Sequence, residues 1–189
     1  MKLVLSSLFI VILFLMGCES NTDLSTNLST NGIESLPPPL ISLPGKSAAY
    51  QDSVFSVSAT INGSAGGTLI LDKYYISNTG GTVTIYARLD IPANAFSGTQ
   101  VITMTVDQYY AALQFTPALT FSQTLLLDQE FEGINLTGIP VGNIDFAFVR
   151  LNNTIERLEK ETKTVIPLGG ILSVENAQLR HFSRYGWVR

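Results

Sequence analysis

The composition of this chain limits both its partners and its chemistry. It has 189 residues, enough for one domain with a hydrophobic core, and 46% of them are hydrophobic. Its 11 Lys and Arg against 15 Asp and Glu give a net charge of -4, which argues against nucleic-acid binding and against electrostatic docking on anionic lipid. With one Cys and one His, it can form no intramolecular disulfide and none of the common zinc sites.

The N-terminus has the pattern of a signal peptide over residues 1–17. Lys2 precedes an apolar run from Leu3 to Met16, which is shorter than the ~20 residues that a membrane-spanning helix needs. A retained membrane anchor and an ordinary secretory signal peptide are the alternative interpretations of the same pattern.

The run Leu15-Met16-Gly17-Cys18 resembles the lipobox of bacterial lipoproteins. The resemblance implies that residues 1–17 are removed and that Cys18 becomes a lipidated N-terminus. The covalent lipid on Cys18 then anchors the chain to a membrane of the cell envelope. Glu19 stands where an aspartate usually retains such proteins in the inner membrane, so the resemblance favours the outer membrane in a Gram-negative cell.

Residues 18–49 are predicted to form a flexible tether. Ten of the 18 residues from Glu19 to Leu36 are Ser, Thr or Asn, and none is aromatic or basic, so this stretch buries too little apolar surface to fold alone. Pro37–Pro39 adds a short, stiff polyproline piece. We expect the tether to hold a folded domain, residues 50–189, away from the membrane surface.

From about residue 50, apolar residues alternate with polar ones, which is the pattern of strands with one buried face. The clearest runs are Phe55–Ile61, Thr82–Ile91, Ile102–Val106 and Ile144–Phe148. Turn residues separate these runs, and Thr, Val, Ile and aromatic residues dominate them. The sequence therefore predicts an all-β domain, an antiparallel β-sandwich. Residues 155–161 carry charge pairs but no apolar stripe, and are interpreted as an exposed hairpin arm.

Three stretches along this domain, Gly66–Leu69, Leu89–Phe96 and Phe115–Phe121, occur in an order that resembles a known family. The family is the β-sandwich domain shared by zona occludens proteins, ankyrins and netrin receptors, and the resemblance covers residues 54–188. Asn94 stands where the family has a glycine, and Asn is the residue that best replaces glycine at positive φ. The resemblance implies a protein-interaction and scaffold module with a protein partner, not a metabolic enzyme.

The C-terminus contains the run His181-Phe182-Ser183, with the only histidine of the chain. Some members of the family cut themselves between Phe and Ser of such a run, without a cofactor. That resemblance implies Ser183 as the nucleophile, His181 as its base and Phe182–Ser183 as the cleaved bond. The alternative is that Phe182, Tyr185 and Trp187 only pack a last strand.

Three carboxylates, Asp128, Glu130 and Glu132, alternate along the sequence and are predicted to share one face of a strand. Such a group could bind calcium or, as a pair, hydrolyse glycosides. A solvated acidic face that protects a strand edge is the favoured interpretation.

Two tyrosine pairs, Tyr74-Tyr75 and Tyr109-Tyr110, could form a sugar-stacking platform. Adjacent residues of a strand face opposite ways, so one tyrosine of each pair is expected in the core. Glycan binding is therefore a weaker alternative.

Together these patterns predict a non-enzymatic, lipid-anchored lipoprotein of the cell envelope that presents a β-sandwich for protein interaction. Self-cleavage at Phe182–Ser183 and glycan binding are the alternatives. No metal and no organic cofactor are expected beyond the lipid on Cys18, and no nucleic-acid partner is expected.

Overall fold

The protein is built almost entirely of β-strands. The computed structural model describes residues 40–150, 154–158 and 161–189. The described residues form eleven strands: β1 (Ser56–Asn62), β2 (Gly67–Ile76), β3 (Thr82–Ile91), β4 (Thr99–Val106), β5 (Ala112–Thr116), β6 (Thr120–Glu132), β7 (Asp145–Val149), β8 (Ile155–Arg157), β9 (Thr162–Ile166), β10 (Ile171–His181) and β11 (Arg184–Val188). They also form three short 3-10 helices: Ala48–Tyr50, Val141–Asn143 and Pro167–Gly169. The predicted signal peptide, Cys18 and the predicted tether as far as residue 39 lie outside the described residues.

The strands form two sheets that pack as a sandwich. One sheet has six strands in the order β1-β4-β5-β11-β7-β8, and the other has five in the order β2-β3-β6-β10-β9. Neighbouring strands are antiparallel throughout both sheets. The prediction of an all-β, antiparallel sandwich is confirmed.

Alternation in the sequence places one side of each strand in the core. In β3, for example, the buried side chains are those of Val83, Ile85, Ala87, Leu89 and Ile91. The four runs predicted from alternation become β1, β3, β4 and β7. Each large apolar side chain removed from water stabilises the fold by roughly 1.5–3 kcal/mol, which is how a domain without a disulfide holds its two sheets together.

Strand β7 departs from the alternation that its sequence suggests, because all five of its residues are buried. Phe146 and Phe148 face the main core, as expected. Ala147 and Val149 belong to a second, smaller cluster on the other side of the sheet, together with Leu40. Leu40, at the start of the described residues, therefore covers part of the outer face of the six-stranded sheet.

The fold begins earlier than the predicted boundary at residue 50. The Ile41 N–H donates to the Trp187 carbonyl and the Ala111 N–H to the Ile41 carbonyl, both at 2.8 Å. The Tyr75 hydroxyl donates to the Pro44 carbonyl at 2.7 Å, and burial raises the pKa of this phenol to about 12. Residues 40–47, which the sequence assigns to the tether, are therefore packed and hydrogen-bonded parts of the domain.

Residues 155–157 of the segment interpreted as a hairpin arm are exposed, but strands β8 and β9 do not pair with each other. Strand β8 pairs with β7 in the six-stranded sheet, whereas β9 pairs with β10 in the five-stranded sheet. All three residues of β8 are exposed. The chain thus passes from one sheet to the other here instead of folding back on itself.

Candidate functional site

On the outer face of the five-stranded sheet, strands β2 and β3 carry three exposed apolar or aromatic side chains, Ile70, Tyr74 and Tyr86, here called the tyrosine patch. Ile70 is 51% exposed and Tyr74 is 59% exposed, although each lies inside a strand. Tyr86 of β3 lies opposite Asp72 of β2, so Ile70 and Tyr74 are its diagonal neighbours. The three side chains therefore share one flat surface on a rigid, hydrogen-bonded support.

A third aromatic ring extends the tyrosine patch at one side. Tyr50, at the end of a 3-10 helix, lies with its ring centroid 6.5 Å from that of Tyr74. The neighbouring Tyr75 is fully buried, which fits the expectation that adjacent tyrosines face opposite ways. Sequence reasoning selects Tyr74 but misses Ile70 and Tyr86. The available signal was that Ile70 and Tyr86 are large side chains at outward positions of otherwise alternating strands.

Carboxylates border the tyrosine patch. The register places Asp72 and Glu130 on either side of Tyr86, in β2 and β6 respectively. Asp128 and Glu132 of β6 lie on the same outer face as Glu130, as the sequence predicts for these three acids. The outer face of the five-stranded sheet therefore carries the tyrosine patch on its β2–β3 side, with Asp72 between Ile70 and Tyr74, and a row of carboxylates on the neighbouring central strand β6.

Much of this acidic border is held in place by hydrogen bonds. Arg88 donates to Asp90 through Nε and Nη2 at 2.9 and 3.1 Å, and the Thr68 hydroxyl donates to Asp90 at 2.7 Å. Burial raises the pKa of Asp90, but the bonds from Arg88 and Thr68 outweigh burial and hold this pKa below its ordinary value. Thr84 likewise donates to Glu132 at 2.8 Å. The carboxylates of Asp90 and Glu132 are thus positioned by their neighbours.

The arrangement of the acidic side chains can be compared with that of a metal site. Across residues 40–150, 154–158 and 161–189, no group of three or more His, Cys, Asp or Glu side chains is arranged to hold a metal ion. One oxygen of Asp128 accepts the Asn176 backbone N–H at 2.8 Å, so part of its hydrogen-bonding capacity is already used within the fold.

The His181-Phe182-Ser183 run lies where the chain crosses from β10 in one sheet to β11 in the other. The Phe182 N–H donates to the Leu119 carbonyl, and the Ser183 carbonyl accepts the Phe115 N–H, both at 2.8 Å. The Phe182 ring is buried and stacks on that of Phe115, with centroids 5.1 Å apart. The bond implied as the cleavage site is therefore part of a packed crossover.

His181 contacts Tyr185 and not Ser183. The Tyr185 hydroxyl lies 3.3 Å from His181 Nδ1 and donates to the His181 carbonyl at 2.8 Å. Burial, assisted by the charge of Glu156, raises the pKa of the Tyr185 phenol above its ordinary range. No hydrogen bond between His181 and the Ser183 hydroxyl occurs in the part of the chain that the structure describes. His181 instead lines a cleft of about 160 Å³ with Phe148 and Tyr185.

The second tyrosine pair lies at a separate groove of about 630 Å³, between residues 42–46 and the turn that joins β4 to β5. Tyr109 stands at this groove and is 70% exposed, whereas Tyr110 is partly buried under the guanidinium of Arg184. Gln51 and Asp52 also line the groove. Tyr74 and Tyr109 therefore do not line one groove, as a single sugar platform would require.

No helix among the described residues is long and apolar enough to cross a membrane. Cys18, the predicted lipidation site, lies outside the described residues. Comparison with protein-family models, curated proteins and solved structures finds no match to this chain. The resemblances to bacterial lipoproteins and to the domain of zona occludens proteins, ankyrins and netrin receptors therefore stay predictions.

Proposed function

We propose that this protein is a lipid-anchored lipoprotein of the cell envelope whose β-sandwich binds a protein partner through the tyrosine patch. The observation that supports this function best is the exposure of Ile70, Tyr74 and Tyr86 side by side on one sheet. Tyrosines that project from a rigid surface are frequent anchors of protein interfaces, because they bury much area at little cost in side-chain entropy. No metal and no organic cofactor take part in this function.

The charges around the tyrosine patch indicate the chemistry of the partner. Asp72, Asp128 and Glu130 flank the patch, and Arg88 is the basic residue between them in register. Complementary charges across an interface steer association and fix orientation more than they add affinity. The partner should therefore present an apolar or aromatic centre with lysines and arginines around it, and its association should slow as salt increases.

The anchor in this proposal is the lipid on Cys18, which becomes the mature N-terminus when residues 1–17 are removed. We favour the outer membrane if the cell is Gram-negative, because Glu19 follows the cysteine. A Cys18→Ser chain should carry no lipid and keep residues 1–17, whereas Ser20→Ala, two residues away, should carry the lipid and lack residues 1–17, as the intact masses of the two chains would show. A Ser20→Ala chain without added lipid mass on Cys18 would contradict lipid anchoring without bearing on the tyrosine patch.

The binding function can be tested by site-specific photocrosslinking in cells that make the full chain. A photoreactive phenylalanine at Tyr74 should capture one partner, and the same probe at Leu168, a fully exposed residue elsewhere, should not. Tyr86→Ala should reduce capture from position 74 at least tenfold, because it removes the centre of the patch. Equal capture from both positions, or capture unaffected by Tyr86→Ala, would count against this surface.

Glycan binding is a second candidate, favoured by one specific observation. The exposed Tyr109 stands at a groove that also contains the amide of Gln51 and the carboxylate of Asp52, which are groups that bind sugar hydroxyls. Tyr109→Ala should then abolish retention on a glycan array, and Tyr74→Ala should leave it unchanged. If no glycan on the array retains the unmodified chain, glycan binding would be contradicted.

A further inference from the structure

Strand β1 forms an unprotected edge of the six-stranded sheet. Its one partner among the described residues is β4, and its other side pairs with no described strand. The seven residues of β1, Ser56–Asn62, include no charged residue and no proline. Edge strands in soluble proteins usually carry charges, prolines or bulges, because an open row of N–H and C=O groups recruits further strands.

The other three sheet edges do carry such protection. Strand β2 has Asp72 and Lys73 near its middle, and β9 contains Lys163. Strand β8 is three residues long, and two of these are Glu156 and Arg157. The absence of charge from β1 therefore sets it apart from every other edge of the two sheets.

The hydrogen bonds at the two ends of β1 show which backbone groups face the open side. The Val106 N–H donates to the Phe55 carbonyl, and the Gly63 N–H donates to the Gly98 carbonyl, both at 2.9 Å. In an antiparallel pair, alternate residues direct both backbone groups to the same neighbour. The odd-numbered residues of β1 therefore bond to β4, and the even-numbered ones point away from it.

Ser56, Ser58 and Thr60 consequently present their N–H and C=O groups to the open side. Their side chains lie on the outer face of the sheet and are exposed. Val57 and Ala59 face the core but are only partly buried, because no strand beyond β1 covers them. The edge thus offers both free hydrogen-bonding groups and an incompletely covered apolar side.

Strand β1 is complementary to itself under a two-fold axis at Ala59. An antiparallel second β1 would place Ser58 of each copy opposite Thr60 of the other, with both residues directing hydrogen bonds into the shared edge. On the core side, Val57 of each copy would lie opposite Ile61 of the other, so that apolar side chains would pack against each other across the contact. No like charges meet, since β1 carries none.

We propose that two copies of this chain associate through their β1 edges in this register, so that their six-stranded sheets form one continuous sheet. The contact is isologous, since the same strand is used by both copies, and it closes as a dimer instead of propagating. It covers the partly buried side of Val57 and Ala59 and satisfies the open backbone groups. The proposal concerns a different surface from the tyrosine patch and does not rest on it.

A disulfide across the two-fold axis tests the register. The full chain with Cys18→Ser, kept in detergent, has no native thiol, so Ala59→Cys supplies the one that reacts. Residues opposite each other in a non-hydrogen-bonded antiparallel pair have Cα atoms about 4.5 Å apart, within disulfide range. We expect most of the Ala59→Cys chain to become a covalent dimer on mild oxidation. Val101→Cys, exposed on the adjacent strand β4, should stay monomeric.

A charge at the edge provides a second measurement that does not depend on the thiol. Thr60→Lys changes an exposed residue, so the domain should fold, but it places a lysine of each copy at the shared edge. Sedimentation equilibrium should show a dimer for the unmodified chain and a loss of at least tenfold in association for Thr60→Lys. Val101→Lys, opposite Thr60 in register but one strand inward, should associate like the unmodified chain.

Three results would overturn the proposal. The first is an unmodified chain that stays monomeric up to about 100 μM, far above the concentration at which stable dimers form. The second is a disulfide at Val101 as complete as at Ala59. The third is equal association of Thr60→Lys and Val101→Lys, which would place the dimer contact away from β1.

Discussion

Lys163 of β9 donates a hydrogen bond to the carboxylate of Asp145 in β7, so an ion pair joins the two sheets at one side of the sandwich. The Arg157 Nε lies 3.1 Å from the other oxygen of this carboxylate, and Glu161 Oε1 lies 3.4 Å from Lys163 Nζ. Burial lowers the pKa of Lys163, but the bond and charge of Asp145, with Glu161, outweigh burial and raise this pKa above its ordinary value. The lysine therefore stays charged between two acids.

Glu161 is the member of this group whose charged form is disfavoured by burial. We therefore expect Glu161→Gln to stabilise the protein at neutral pH. Its side chain is 5% exposed, and its buried Oε2 accepts no hydrogen bond. Burial raises its pKa above the ordinary 4.5, against the opposing effect of Lys163. The stability that Glu161 contributes is thus fully present below pH 4.5 and is lost as the pH rises through the raised pKa. Urea unfolding from pH 3.5 to 8 measures this loss.

The variant should match the unmodified chain near pH 3.5, where the carboxyl is protonated in both the folded and the unfolded state. Above the folded pKa it should be more stable by about 1 kcal/mol, because its neutral amide carries no charge for burial to penalise. A variant that is less stable than the unmodified chain at pH 7 would mean that Lys163 needs the negative charge.

The packing of residues 40–47 predicts that Ile41→Ala is severely destabilising. Ile41 is buried in the main core and exchanges backbone hydrogen bonds with Trp187 and Ala111. Truncation of a fully buried isoleucine typically costs about 2–5 kcal/mol, through lost transfer energy and the cavity left behind. Urea unfolding should show this loss, and Leu168→Ala, at a fully exposed residue, should cost less than about 0.5 kcal/mol. A neutral Ile41→Ala would mean that the segment is dispensable.

Sequence periodicity predicted the strands well because one-sided burial leaves a period of two. Strand β3 shows the full alternation, and it became a ten-residue strand with the predicted ends. The segment around Ile41 was missed, since three apolar residues between prolines are too few to show a period. Strand β7 shows a related limit of periodicity, because its outward residues are buried as well as its inward ones. Its outward residue Ala147 lies in a buried cluster that includes Leu40, which is distant in sequence.

The candidate site was less predictable than the fold. The sequence singled out the pair Tyr74-Tyr75 without showing which of the two is exposed, and a surface patch depends on which strands become neighbours. The pairing of β2 with β3 brings Tyr86 beside Ile70 and Tyr74, and this register cannot be derived from either strand alone. The sequence around His181 matches a self-cleavage motif, but in the structure the Nδ1 atom of His181 lies 3.3 Å from the Tyr185 hydroxyl.

The turn after β3 places Asn94 at a φ of 63°, a left-handed conformation that strains most side chains. The Ser122 hydroxyl donates to the Asn94 carbonyl at 2.6 Å and holds this conformation. We expect Asn94→Gly to be neutral or slightly stabilising and Asn94→Ala to cost about 1 kcal/mol, as measured by urea unfolding. Asn143→Ala, at an exposed asparagine without positive φ, should have no comparable effect. Equal stability of the Gly and Ala variants would contradict a left-handed turn.

The last prediction concerns the Phe182–Ser183 bond, which we expect to stay intact. Cleavage by an attack of Ser183 needs a base at its hydroxyl and a strained peptide bond. His181 instead contacts Tyr185, and neither Phe182 nor Ser183 is among the described residues with positive φ or a cis peptide bond. The denatured mass of the full chain should therefore equal that of Ser183→Ala, apart from the substituted atom.

A native chain lighter by the Ser183–Arg189 heptapeptide, beside a whole Ser183→Ala chain, would establish self-cleavage and give His181 a chemical role. If so, His181→Ala should also remain whole, whereas Arg184→Ala, one residue beyond the nucleophile, should still split.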